Sequence, residues 1–192
     1  MRVIAGSAKG KKLVAPRNIR PTTDRVKEAL FSILGKVEGA NILDLYAGSG
    51  GLGIEALSRG AKLAIFVDQN LTSVWALQKN LENLSFTKRA KIFKTSAKKA
   101  LKLLSGDKLR FGLIFIDPPY KMNITKLKDV LDGLCWENLI EPGGIVVLEH
   151  SQKVDSITPE SDLKKIFDRT YGDVCLTFYE LRGENEKSNL SG

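Results

Sequence analysis

Three aspartates and one cluster of glycines carry most of the chemical content of this sequence. The segment from Asn41 to Gly53 leads an apolar run into Gly48, Gly50 and Gly53, where a strand would turn into a helix. Glycines at such a turn let backbone approach a ligand closely at a helix N-terminus, a place suited to a nucleotide-like molecule. Asp44 stands four residues before the first of these glycines. Asp68 closes the next apolar run, 24 residues after Asp44, close to the roughly 20-residue offset at which an acid reaches ribose hydroxyls in dinucleotide folds. The third aspartate opens Asp117, Pro118, Pro119 and Tyr120, directly after the apolar run Phe111 to Ile116. Two consecutive prolines supply no backbone N–H and hold the chain extended, so the loop is rigid with its carbonyls available.

These patterns constrain the ligand. A dinucleotide would bring its pyrophosphate beside Asp44, so that carboxylate argues for a cationic ligand instead. S-adenosyl-L-methionine meets the requirement: its ammonium can pair with Asp44, directly or through water, and its ribose diol can donate to Asp68. In the second segment, Asp117 and the Pro118 carbonyl form a pair of acceptors matched to the two hydrogens of an amino group on a planar ring. Tyr120 is placed to stack on that ring. Methyl transfer to such a nitrogen is an in-line displacement whose difficulty is delocalisation of the lone pair. Acceptors aimed at its N–H bonds favour the nucleophilic geometry, so Asp117 acts by positioning and electrostatics rather than as a strong base.

The elements that must hold these residues follow from periodicity. Short apolar runs at Asn41–Tyr46, Leu63–Val67, Lys91–Lys94, Phe111–Ile116 and Ile145–Glu149 predict strands, alternating with helices that begin near Leu52, Leu71, Ala97 and Ile124. Strand–helix repetition implies a parallel sheet covered on both faces, with ligands bound at its carboxyl ends. Lys165–Tyr171 and Val174–Leu181 flank the turn Gly172-Asp173 with no helix between them, and so form an antiparallel hairpin. Before the sheet, Val26, Ala29, Leu30, Ile33 and Leu34 mark a helix capped by Thr23 or Asp24 and ended by Gly35. The expected organisation is a basic N-terminal hairpin extension over residues 1–22, a catalytic domain over 23–183 and a disordered tail over 184–192.

The chain carries a formal charge of +8, and residues 1–39 hold nine Lys and Arg against three Asp and Glu. Localised positive charge is what release of counterions from a polyphosphate rewards, so nucleic acid is the natural partner. Arg2, Lys9, Lys11, Lys12, Arg17 and Arg20 are the expected RNA contacts. Lys98, Lys99 and Lys102 read as a solvated helix face. Trp75 and Trp136 lie in amphipathic stretches and read as packing residues, and the single histidine, His150, as a structural one, since amine methylation needs no histidine base. Cys135 and Cys175 suit reduced core positions, and a zinc site is not supported. There is no run of about 18 apolar residues and no secretory signal pattern, so a cytoplasmic protein is expected.

These residues resemble the class I methyltransferases, and the pairing of Asp44, Gly48, Ser49 and Gly50 with Asp117 to Tyr120 resembles the branch that methylates exocyclic nitrogens. The opening is similar to that of the bacterial 16S ribosomal RNA guanine-N2 methyltransferase family: Arg2 to Ser7 (RVIAGS), Gly10 to Leu13 (GKKL) and Arg20 to Phe31 (RPTTDRVKEALF). The likeness covers nearly all of residues 1–182. It implies a Rossmann-like, seven-stranded, mostly parallel α/β sheet with an antiparallel last strand and a small-subunit rRNA guanine as substrate. The expected partner is 16S rRNA or an assembling small subunit, and the expected state is a monomer. It further implies that Asp44, Ala47, Gly48, Ser49 and Gly50 line the methionine side of S-adenosyl-L-methionine, Asp68 the ribose, and Ser96 and Ala97 the adenine. Thr22, Thr23 and Arg25 would help close the site. Many class I enzymes have an acid where this chain has Ser96, and the family often has Asn where it has Ser32. Related Pro-Pro-Tyr loops also serve DNA adenine-N6 and protein glutamine methyltransferases, and a non-catalytic RNA-binding scaffold is a further alternative.

Overall fold

A computed structural model describes residues 1–16, 23–106, 108–119, 121–154 and 157–182. Within these, a helix at Asp24–Leu34 (α1) precedes a run of strands and helices: Asn41–Leu45 (β1), Gly51–Ser58 (α2), Leu63–Asp68 (β2), Leu71–Asn83 (α3), Ala90–Lys94 (β3), Ala97–Ser105 (α4), Phe111–Ile116 (β4), Ile124–Trp136 (α5), Ile140–Ser151 (β5), Leu163–Tyr171 (β6) and Val174–Leu181 (β7). Among the described residues one sheet forms in the order β3-β2-β1-β4-β5-β7-β6. The pairs from β3 to β5 are parallel, and β7 runs antiparallel to both its neighbours. The seven strands and the antiparallel last strand match the expectation. Strand order reverses between β1 and β4, and such a switch opens a crevice at the strand carboxyl ends.

The apolar runs form the central strands because both faces are covered. Side chains alternate across β1: Ile42 joins a core with α1, α2 and α3, while Leu43 and Leu45 join one with α4 and α5. Helix starts are set by side-chain caps. Thr23 accepts from Val26 N at 3.3 Å, Asn70 from Thr72 N at 2.9 Å, Ser96 from Lys99 N at 3.4 Å and Asn123 from Thr125 N at 2.7 Å. β5 is longer than the expected Ile145–Glu149. It continues back through Pro142, Gly143 and Gly144, with a register shift opposite Phe111 and Leu113. A Cβ on Gly144 would lie 2.8 Å from Glu141 O and 2.9 Å from Phe111 O, so the strand passes there only without a side chain.

The N-terminal segment departs from a regular hairpin. Among the described residues a single ladder bridge joins Arg2 and Lys12, and the segment is held by the body of the protein: Val3, Ala8 and Leu13 are buried in the first core. Both tryptophans differ from expectation. Trp75 is 59% exposed and Trp136 69%, because the inward stripe of α3 is Ser73, Ala76, Leu77, Asn80 and Leu81, and that of α5 ends before Trp136. Cys175 is buried in β7 and Cys135 half-buried in α5, both as thiols. The tail read as disordered lies outside the described residues. No helix among the described residues is long and apolar enough to cross a membrane.

Candidate active site

β1, β2 and β4 run side by side, and residues at or just beyond their carboxyl ends line one cleft of about 820 Å³. Asp44, Ala47, Gly48, Ser49, Asp68, Ser96, Ala97, Asp117 and Pro118 all line it. Of the described residues expected at the cofactor and the reacting nitrogen, Gly50 alone does not line the cleft: it is buried as the N-cap of α2, with φ 86, and shapes the loop instead. Tyr120, Arg17, Arg20 and Thr22 lie outside the described residues.

Asp44 sits at the floor, 2% exposed, and its Oδ2 accepts from Gly53 N at 2.8 Å. Burial pushes its carboxyl up to about 7, opposed by that hydrogen bond and reinforced by the nearby charge of Asp68. A buried carboxylate with little local compensation favours a cation beside it. The glycines meet distinct demands. Gly48 has φ +56 and directs its N–H to Asp68 Oδ2 at 2.8 Å. A Cβ on Gly53 would meet Phe66 at 2.3 Å and Asp44 Oδ2 at 2.9 Å, so a side chain there would displace the carboxylate. Asp68 also accepts from Asn70 N at 2.8 Å through Oδ1, which orients it across the loop.

Asp117 follows β4 beside the end of β1, and its backbone N–H donates to Leu45 O at 3.3 Å. Pro118 is buried and Pro119 exposed, so the loop turns outward at the cleft. Tyr46, which no sequence pattern marked, also lines the cleft, with φ 62, a left-handed conformation that an aromatic residue adopts only at a cost. Burial raises its hydroxyl to about 12, so it remains a hydrogen-bond donor.

Polar lining residues that no sequence pattern marked include Ser73, Thr95, Lys126 and Asp129, and Asn80 lies behind the wall. Ser73 is among the residues lining the cleft, and its buried Oγ has no hydrogen-bond partner within the protein. Asn80 donates to Ser49 O at 2.9 Å and pairs with Val14 through both backbone atoms, tying the glycine loop to the N-terminal segment. Lys98 is exposed, as a solvated face requires, and also borders the cleft, where it reaches Asp129 Oδ2 at 3.0 Å. Ser96 uses its hydroxyl as the cap of α4, so its side chain is committed to the helix. No signal in single-sequence periodicity could have marked these, since each depends on two elements meeting.

Arg2, Lys9, Lys11 and Lys12 are exposed on the N-terminal segment, Thr23 and Arg25 are exposed at the start of α1, and Arg2 is paired with Asp24 at 3.1 Å. His150 is buried away from the cleft, with Nε2 2.8 Å from Thr177 Oγ1, and burial lowers its pKa, in keeping with a structural role. Among the described residues no group of acids, histidines and cysteines could hold a metal.

Comparison with known proteins gives a consistent picture. The family described as "Conserved hypothetical protein 95" is matched over residues 1–180. The chain is 42% identical over 186 residues to "Putative rRNA methyltransferase YlbH" of Bacillus subtilis, covering 95% of this chain and 100% of that protein. It is 34% identical over 184 residues to "Ribosomal RNA small subunit methyltransferase D" of Haemophilus influenzae, covering 94% and 93%. A solved structure, "Putative methyltransferase yhhF from Escherichia coli", superposes with a TM-score of 0.82 at 26% identity, covering 96% of this chain and 99% of that one.

Proposed function

Since the chain belongs to the Conserved hypothetical protein 95 family, we propose that it is an S-adenosyl-L-methionine-dependent rRNA methyltransferase that methylates the exocyclic N2 of a guanine in small-subunit 16S rRNA. The observation that carries this reading is the convergence of Asp44, Asp68 and the Asp117-Pro118 loop on one cleft. The names of its B. subtilis and H. influenzae relatives support rRNA as the class of substrate.

The residues fit the cofactor. Asp44 presents a buried carboxylate to its ammonium, Asp68 accepts from its ribose, Gly48 and Ser49 leave backbone close to its methionine portion, and the orphan Ser73 hydroxyl offers a hydrogen bond that the protein does not itself satisfy. When bound, the cofactor supplies a sulfonium methyl, the electrophile. Asp117 and the Pro118 carbonyl accept the two N–H bonds of the target amine and hold its lone pair toward that methyl. The proton released after transfer passes to Asp117 or water, so no histidine is required. Tyr120 stacks on the guanine once it leaves its helix, and the exposed Arg2, Lys9, Lys11 and Lys12, with Arg17 and Arg20, bind the flanking phosphates.

The test is methyl transfer from labelled cofactor to small ribosomal subunits, and separately to naked 16S rRNA, taken from a strain lacking the enzyme, followed by nucleoside analysis. N2-methylguanosine is expected; label appearing only in DNA or protein would move the reading to the related adenine-N6 or glutamine chemistries. Asp117→Ala should lower turnover by at least about 100-fold while cofactor binding persists. Near-normal turnover in that variant would remove the proposed role of Asp117.

A further inference from the structure

The cleft has a third end, beyond Asp44 and Asp68, where α4 and α5 face each other. Ala97 and Lys98 from the start of α4 line it together with Lys126, Asp129 and Val130 from α5. Lys98 Nζ donates to Asp129 Oδ2 at 3.0 Å across the gap, and both side chains are substantially exposed. An exposed ion pair contributes little to stability, so holding α4 to α5 is a weak explanation for its place on the cleft wall. What it does accomplish is geometric: one oxygen of Asp129 is pinned, which orients the other.

The chemistry presented there is a pair of opposite hydrogen-bonding groups. First-turn N–H groups of a helix have no acceptor within it. In α4 the Ser96 hydroxyl takes that of Lys99 at 3.4 Å, which leaves Ala97 at the cleft as a donor. Asp129 is an acceptor only. Donor beside acceptor is the complement of the adenine edge, where ring N1 accepts and the 6-amino group donates. It mismatches hypoxanthine, whose ring N1–H donates and whose O6 accepts. Apolar Val130, 3% exposed, supplies a flat contact for the ring.

We infer that Asp129, with the Ala97 backbone N–H, reads the base of the cofactor, and that Lys98 is the positioning residue that orients Asp129. This rests on the cofactor reading above. It also explains how a chain with Ser96 at the end of β3, its hydroxyl used as a helix cap, still has an acid for the 6-amino group: the acid comes from α5.

The test compares binding of S-adenosylhomocysteine and its hypoxanthine counterpart, S-inosylhomocysteine, by calorimetry to the full chain. The wild type should prefer the adenine compound by about tenfold or more. In Asp129→Ala the preference should fall to within about twofold, through weaker binding of the adenine compound alone. Binding of S-inosylhomocysteine, unchanged or tighter, then reports that the variant is folded. Lys98→Met should show a partial loss of preference, and an undiminished preference there would remove its positioning role. If Asp129→Ala keeps the full preference, or the wild type binds both compounds equally well, the inference is overturned while the cofactor reading stands. If the wild type binds neither, the cofactor reading falls and the inference with it.

Discussion

Asp44 illustrates how a single residue sets the working range of the cleft. Its carboxyl lies at about 7 because it is desolvated, and it must be ionised to hold an ammonium. Below pH 7 a proton competes with the ligand, and affinity should fall by about tenfold per pH unit. Above about pH 8 the ligand's own α-amino group, with an ordinary value of about 7.7–8.0, loses its charge. Binding of S-adenosyl-L-methionine, followed by calorimetry from pH 5.5 to 9, should therefore be strongest between about 7 and 8. Asp44→Asn should lose the acidic limb; an unaltered acidic limb would assign it to another group. Ser73 makes a different prediction. Its buried hydroxyl has no partner in the protein, so Ser73→Ala should leave the ligand-free protein as stable or up to about 1 kcal/mol more stable. Cofactor affinity should meanwhile fall several-fold. A destabilised protein with unchanged affinity would show that the hydroxyl serves the fold instead.

Among the elements, α2 does more than present the glycine loop. Its Glu55, fully buried, accepts from Ile4 N at 2.7 Å and Ala5 N at 2.9 Å, from Arg59 at 2.8 Å, and pairs with the equally buried Lys27 of α1 at 3.4 Å. Lys27 also donates to Arg2 O, so one carboxylate and one ammonium join the N-terminal segment, α1 and α2. Burial pulls the Lys27 ammonium below the usual lysine value, opposed by Glu55, and removing that partner leaves a charge in the core. Glu55→Gln should cost about 3–5 kcal/mol in urea unfolding. Hydrogen exchange should rise first at residues 1–13, since their anchoring bonds are lost. Gly6 belongs to the same joint: a Cβ there would lie 1.9 Å from Ser58 O, at φ +80, so only glycine permits the segment to lie against α2.

At the scale of the whole molecule, the charge is carried on the folded body. The excess of Lys and Arg lies in the first 39 residues, and the docking of residues 1–13 onto α2 holds Arg2, Lys9, Lys11 and Lys12 against the protein instead of on a loose arm. Replacing Lys9, Lys11 and Lys12 with alanine should weaken rRNA binding and reduce the slope of log affinity against log salt by about 2–3, with cofactor affinity unchanged. An unchanged slope would place the RNA surface elsewhere.

The local elements were legible because each has a short-range cause. Alternating apolar runs and 3.6-residue stripes place β1 to β4 and α1 to α5, caps such as Thr23 and Asn70 mark helix starts, and Gly172 marks the last turn. Asp44, Asp68 and Asp117 were legible too, since an acid at a strand's carboxyl end beside a glycine turn or a proline pair has few other uses. What tertiary structure alone decided is every feature that needs two distant segments in contact. The ion pair of Lys98 with Asp129, the Asn80 bonds to Val14 and Ser49, and the Glu55–Lys27 joint all have partners 25 or more residues apart. Which polar residue turns inward, and which tryptophan turns out, depends on the neighbour that covers it, and a single sequence carries periodicity but not the identity of the covering face.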